Sequence, residues 1–240
     1  MIIDAHNHAG GPDRGDGKMQ SPGEIVAEMD RLGIDRAVIF PFNEVQPGVS
    51  FSLANNRIAD AIREYPDRLV GFARLDPNYG ENAIEELRRD IRIGLAGLKL
   101  HPSSQSFSLR DGYLREIIKE AAKYNVPIIF DSGKKESPPD QFGELAELFP
   151  EARLIMAHMY GNFLEVAKKH QNIYLQTTGM FKLEVVRGAV ETLGAERIII
   201  GSDSPYISME REIGKIRSLN ISPEEKELIM GENMRALLRL

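Results

Sequence analysis

Short runs of β-branched and aliphatic residues alternate along the chain with longer stretches in which apolar residues recur every three or four positions. The first pattern marks strands buried on both faces, the second marks helices laid with one face on a core. Strands are expected at Ile2–Ala5, Arg36–Phe40, Leu69–Arg74, Gly97–Leu100, Pro127–Phe130, Arg153–Ala157, Ile173–Gln176 and Arg197–Gly201. Helices are expected near Ser21–Leu32, Leu53–Tyr65, Glu81–Ile93, Asp111–Tyr124, Gln141–Phe149, Asn162–Lys169 and Phe181–Leu193, with more helix after Tyr206. Ser21-Pro22-Gly23-Glu24 reads as a capping box with Gly33 as its helix stop. Ser222-Pro223-Glu224-Glu225 repeats the device, with Gly231 read as the stop.

Eight strand–helix units in 240 residues are the arithmetic of an α/β (β/α)8 TIM barrel, one domain over residues 1–240. An open doubly wound sheet usually carries a glycine-rich phosphate loop after an early strand, and no G-x-G-x-x-G occurs here. In a barrel, the ends of the strands meet at one rim, where active sites lie.

Composition narrows the class. Apolar residues make up 42% and charged residues 28%, as in a folded domain. The absence of cysteine removes disulfides, thiolate metal sites and cysteine nucleophiles. Thirty basic against 36 acidic residues, net −6, with no long basic run, argues against a nucleic-acid partner. No apolar run is long enough to cross a membrane and no leader-like start is seen, so a cytoplasmic protein with a small-molecule substrate is expected. Absent Cys and Trp, with many Ile, Glu and Arg, is a composition met in thermophiles.

Of five histidines, four follow predicted strands: His6 and His8 the first, His101 the fourth, His158 the sixth. Asp131 ends the fifth and Asp203 follows the eighth. His170 instead ends a helix, where the dipole favours it on the surface. In an extended strand residues i and i+2 share a face, so His6 and His8 can meet one ion, with Asp4 on that face as a supporting group. Chance packing of an H-x-H pair is the alternative, and the other rim residues weigh against it. His158 is read as a ligand or as a group that polarises substrate. Asp203 is read as a ligand and proton shuttle, against a role as helix cap. Lys99 and His101 also share a face and are candidates for metal or substrate. An inward Lys99 suggests function, while the bland reading has its amine snorkelling at the rim. Arg74, near a strand end, is a candidate for a substrate carboxylate, whereas Arg14, Lys18, Lys134 and Lys135 read mostly as solvated loop charges. The segment 9–17 reads as a loop over the rim able to act as a lid.

Five motifs, in order, carry a resemblance: Asp4-Ala5-His6-Asn7-His8, Gly97-Leu98-Lys99-Leu100-His101-Pro102, Ala157-His158-Met159-Tyr160-Gly161, Gly201-Ser202-Asp203-Ser204-Pro205 and Gly231-Glu232-Asn233-Met234-Arg235. Together they resemble the amidohydrolase-related branch of the amidohydrolase superfamily, which holds metal-dependent hydrolases and enzymes like aminocarboxymuconate-semialdehyde decarboxylase. The resemblance implies a distorted barrel, a divalent metal that is usually zinc, and a homodimer. It implies that His6 and His8 are ligands, that His158 is a second-metal ligand or activating group, and that Asp203 is ligand and shuttle. Lys99 stands where some relatives carry a carbamylated lysine. The usual fifth-strand histidine is replaced by Asp131, a harder ligand that favours manganese or iron or leaves a metal-free site. TatD-type nucleases, which open similarly, carry a glutamate where this chain has Lys99-Leu100-His101.

The expected activity is hydrolysis of a small ester, lactone or amide through a metal-activated water. His6, His8, Asp131, His158 and Asp203 are the expected metal ligands, with Asp203 and His158 catalytic. The alternative is nonoxidative decarboxylation of a small unsaturated or aromatic acid, which needs the same ligands. A metal-free lactonase or a binding barrel is the remaining reading.

Overall fold

The computed structural model describes all 240 residues. Its strands are β1 (Ile3–Ala9), β2 (Arg36–Pro41), β3 (Leu69–Gly71), β4 (Ala73–Arg74), β5 (Leu98–Leu100), β6 (Pro127–Asp131), β7 (Arg153–Ala157), β8 (Ile173–Gln176) and β9 (Ile198–Ile199). Its helices are α1 (Pro22–Leu32), α2 (Ser52–Glu64), α3 (Glu81–Arg92), α4 (Pro102–Gln105), α5 (Gly112–Tyr124), α6 (Pro139–Leu148), α7 (Phe163–Lys169), α8 (Leu183–Leu193), α9 (Met209–Ser218), α10 (Pro223–Glu227) and α11 (Asn233–Leu238). All strand pairs are parallel and sequential, in two arcs, β1-β2-β3 and β4 to β9. The expected α/β barrel architecture is present, although its ladder is not continuous.

The two seams have different causes. β3 and β4 are halves of the one strand expected at Leu69–Arg74. The first half pairs with β2 and the second with β5, and the chain changes partner at Phe72. At the other seam no ladder forms, but Ala5 N–H donates to the Ile200 carbonyl (3.1 Å), Asp203 N–H to that of His6 (2.9 Å) and His8 N–H to that of Ser204 (2.8 Å). That seam carries the site.

Strand alternation sorts the core. Val38 and Phe40 of β2, Ile129 of β6, and Ile155 and Ala157 of β7 fill the barrel with Ile3 and Ala5 of β1. Their neighbours Ala37, Ile39, Ile128, Phe130, Leu154 and Met156 pack in the larger cluster with the helices. Met234 and Leu237 of α11 join the inner cluster and plug it. Both capping boxes form, and Gly33 ends α1 in the left-handed region. Gly231 does not end a helix. The chain continues through a π-helical turn, Leu228–Glu232, into α11. Glycine is required there by close approach, since a Cβ would lie 2.2 Å from the Met1 carbonyl oxygen.

Candidate active site

β1 runs further than expected and contains both histidines. Its register against β2 shifts between Asp4 and Asn7. The extra residue reverses the alternation, so Ile3 and Ala5 point into the barrel below the shift and His6 and His8 point into the cavity above it. Asp4 consequently does not share the histidine face. Its carboxylate accepts from Ser202 N–H (2.8 Å) and Ser202 Oγ (2.6 Å), which fixes the turn that carries Asp203. Burial raises the Asp4 carboxyl to about 6.

His6 Nε2 and His8 Nε2 lie 3.3 and 3.0 Å from Asp203 Oδ1. Behind His6, Gln176 at the end of β8 donates from Nε2 to the Ala5 carbonyl (3.0 Å), which points its Oε1 at His6 Nδ1 (2.6 Å). The Nδ1 hydrogen is therefore spoken for, and the Nε2 lone pair faces the cavity. Lys99 reaches the same atom, with Nζ 3.0 Å from His6 Nε2. Its amine is not at the rim: Lys99 is 1% exposed, and burial lowers it to about 7. Burial, with Lys99 beside it, pushes His6 down to about 3, and burial lowers His8 too, so both are neutral. Burial opposes the Asp203 charge, but the two histidines facing it hold the carboxyl well below the usual range.

A second cluster lies across the cavity. Asp131 Oδ2 is 3.2 Å from His158 Nε2, 3.4 Å from His101 Nε2 and 2.9 Å from Lys134 Nζ. Its Oδ1 is buried without a partner. His158 Nδ1 is 3.0 Å from the Thr178 carbonyl oxygen. His101 Nδ1 accepts from Ser104 N–H (3.2 Å) and so caps α4, which leaves its Nε2–H toward Asp131. Burial opposes the Asp131 charge, yet the His158 hydrogen bond, with His101 and Lys99 nearby, holds it far below its ordinary value. Burial drives His101 well down. Strict alternation from Ala157 would turn His158 outward. Its φ of 66° turns it back, and Asp203 likewise has φ 71°. Left-handed backbone costs an L-residue roughly 1–2 kcal/mol, and such strain collects at functional sites.

Both clusters, with Arg74, Asp13, Asn43, Tyr160 and Tyr206, line one cavity of about 350 Å³. Arg74 is 1% exposed. One guanidinium nitrogen donates to the Pro41 carbonyl (3.0 Å), while Nε and Nη2 have no partner. Burial lowers it to about 10, so it stays cationic. The Asn55 side chain holds the Arg74 backbone at both ends, accepting from its N–H and donating to its carbonyl at 2.9 Å each. Of the other basic residues, Lys134 is engaged by Asp131, Arg14 donates to the Ser104 carbonyl (3.0 Å) and Lys18 stands 4.3 Å over the Tyr206 ring. The 9–17 loop is tied to the rim, with Asp13 accepting from Asn43 N–H (3.0 Å) and Gly10 and Gln20 exchanging backbone bonds. His170 caps the end of α7, away from the cavity.

The amidohydrolase sequence profile matches residues 3–240. The chain belongs to the amidohydrolase family. No curated protein matches it by sequence. Its fold is that of 5-carboxyvanillate decarboxylase LigW from Sphingomonas paucimobilis, with a TM-score of 0.83 at 16% identity over 100% of this chain and 99% of that one. It is also that of 2,6-dihydroxybenzoate decarboxylase from Rhizobium, with TM-score 0.80 at 16% identity over 99% and 98%. A dihydroxybenzoic acid decarboxylase from Polaromonas sp. JS666, bound to manganese and the inhibitor 2-nitroresorcinol, gives 0.77 at 17% over 100% and 97%.

In this amidohydrolase the donor set fits a divalent ion. One atom each from His6, His8 and Asp203 lies within 4.8 Å of the others, and Gln176 presets the lone pair of His6. Two neutral imidazoles and a carboxylate suit a first-row ion. Asp131 and His158 fall outside that triad and face one another. Gln176, Thr178 and Asn55 escaped the sequence reading. Gln176 had the usual signal, an inward polar residue closing an apolar strand, but an amide is no ligand type. Thr178 acts through its backbone, which leaves no mark in the side-chain pattern. No helix is long and apolar enough to cross a membrane.

Proposed function

We propose that this amidohydrolase is a metal-dependent, nonoxidative decarboxylase of a small unsaturated or aromatic acid. The observation that carries the reading is Arg74: a buried cation with two unbonded nitrogens, on the same cavity as the His6–His8–Asp203 triad. A buried guanidinium with spare donors suits a carboxylate or another anionic oxygen of the substrate. The decarboxylases of the same fold support the chemistry, and the manganese in one of them makes manganese, ahead of zinc, the first ion to test.

His6, His8 and Asp203 would hold the ion, which when bound supplies positive charge to fix and polarise anionic substrate oxygens. Arg74 anchors one end of the substrate and limits its rotation. The bond from the substrate carbon to its carboxylate breaks, CO2 leaves, and the electron pair stays on the carbon skeleton. His158 then delivers a proton to that carbon from Nε2. Asp131 stabilises the charged imidazole, and the proton is replaced from solvent. The ionised Asp203 favours a second reading, hydrolysis of an ester, lactone or amide, in which it takes a proton from water.

Manganese-loaded protein, incubated with hydroxybenzoates, unsaturated acids and lactones and followed by mass spectrometry and CO2 detection, separates the two. Loss of CO2 from an acid, with one solvent deuteron fixed at carbon in D2O, is expected. Gain of water without CO2 would replace this reading with hydrolysis.

A further inference from the structure

A buried ion pair lies under the loop that follows β8 and does not touch the cavity. Glu212 and Lys215, one turn apart on α9, are 1% and 8% exposed. Lys215 Nζ is 2.5 Å from Glu212 Oε1 and also donates to the carbonyls of Thr177 (2.7 Å) and Met180 (2.9 Å). Thr177 Oγ1 donates to the same Glu212 oxygen at 2.5 Å. Both ends of the segment Thr177–Met180 are therefore pinned to α9. Inside it lies Thr178, whose carbonyl faces His158 Nδ1 at 3.0 Å. The loop lies flush against that ring: a Cβ at Gly179 would be 3.1 Å from His158 Nδ1.

Burial is costly for both charges, raising Glu212 to about 7 and lowering Lys215. An apolar pair of similar volume often serves stability equally well, so the pair needs another reason. We propose that Lys215, held by Glu212, is a positioning residue that sets the Thr178 carbonyl to take the Nδ1 hydrogen of His158, leaving Nε2 turned to Asp131 and the substrate. The importance of that placement for turnover rests on the proposed role of His158 as proton donor. The placement itself is read without substrate.

The test is long-range proton–nitrogen NMR on the full chain labelled at its five histidines, loaded with diamagnetic zinc, with His158→Gln assigning the ring. The parent should show His158 protonated at Nδ1. In Lys215→Met/Glu212→Leu the Nδ1–H signal should be lost, with the Nε2 hydrogen toward Asp131 left in place, and Lys215→Arg should keep both. On a decarboxylated substrate kcat should fall about 10–100-fold in the double variant, the range for outer partners of a functional histidine, with KM nearly unchanged. If the apolar pair does not fold, Lys215→Met/Glu212→Gln keeps an acceptor for the Thr177 hydroxyl and makes the same comparison. An unaltered His158 signal in a folded variant overturns the proposal. A shifted signal without decarboxylase activity in any form leaves the placement standing and removes the proposed reaction instead.

Discussion

On one side of the cavity, His6 and His8 project from a strand inside the barrel, and Asp203 is bonded through its own backbone to the His6 carbonyl. On the other, Asp131 ends β6 and is held by Lys134, and His158 stands beyond β7 on left-handed backbone, steadied by a loop carbonyl. Both sides are made of histidine and aspartate, yet their hydrogen bonding differs. The first presents a preset lone pair, with the far nitrogen of His6 occupied by Gln176. The second faces a carboxylate toward an imidazole and leaves one oxygen, Asp131 Oδ1, with no partner. Identical residue types thus stand in different hydrogen bonding according to what lies behind them, and the proposed function gives the ion to the first side and the proton to the second.

The largest expected effect comes from removing the ion side. His6→Ala/His8→Ala should lose bound metal and lower kcat/KM at least about 10³-fold, roughly 4 kcal/mol of barrier. His158→Gln should keep the metal and lower kcat about 10²-fold, the lower range for a lost general acid. Comparable metal loss in both variants would erase the distinction between the two sides.

Two smaller predictions concern the wall that carries Arg74. Asn55→Ala frees both backbone groups of Arg74 and should raise KM for an acidic substrate about tenfold, at about 1–3 kcal/mol of stability for the unsatisfied groups. Titration of KM and urea unfolding would check the two parts. Behind Asn55, Asp90 accepts its amide at 2.6 Å. Burial raises Asp90 from 3.8 to about 7, so the folded chain keeps a proton that the unfolded chain releases. That contribution is complete below about pH 4 and is lost as pH rises through about 7. Stability should fall by about 1 kcal/mol between about pH 6 and 8, and Asp90→Asn should flatten the slope.

The barrel and most of the rim were readable in the sequence because histidines, aspartates and a lysine at the ends of apolar runs are out of place anywhere but at a site. Helix limits were close where a cap announced them, as at Ser21 and Gly33. Simple alternation puts Asp4 on the histidine face, and the bulge that reverses the alternation has no sequence mark. Gly231 reads as a stop in the sequence because a helix end and a close approach use the same residue. The pairing of Asp131 with His158 joins residues 27 positions apart across a β–α–β unit, and only the parallel register of β6 with β7 brings them together. The change of partner at Phe72 is likewise hidden, since nothing in the run Leu69–Arg74 marks where one neighbouring strand gives way to the next.

The division of labour is tested most directly by elemental analysis of four proteins reconstituted with manganese and dialysed alike: the parent, His6→Ala/His8→Ala, Asp131→Asn and His158→Gln. About one equivalent is expected in the parent, in Asp131→Asn and in His158→Gln, and none in the histidine pair. Loss of the ion from Asp131→Asn would contradict that division by making that aspartate a ligand, and a parent that takes up no metal would contradict it altogether.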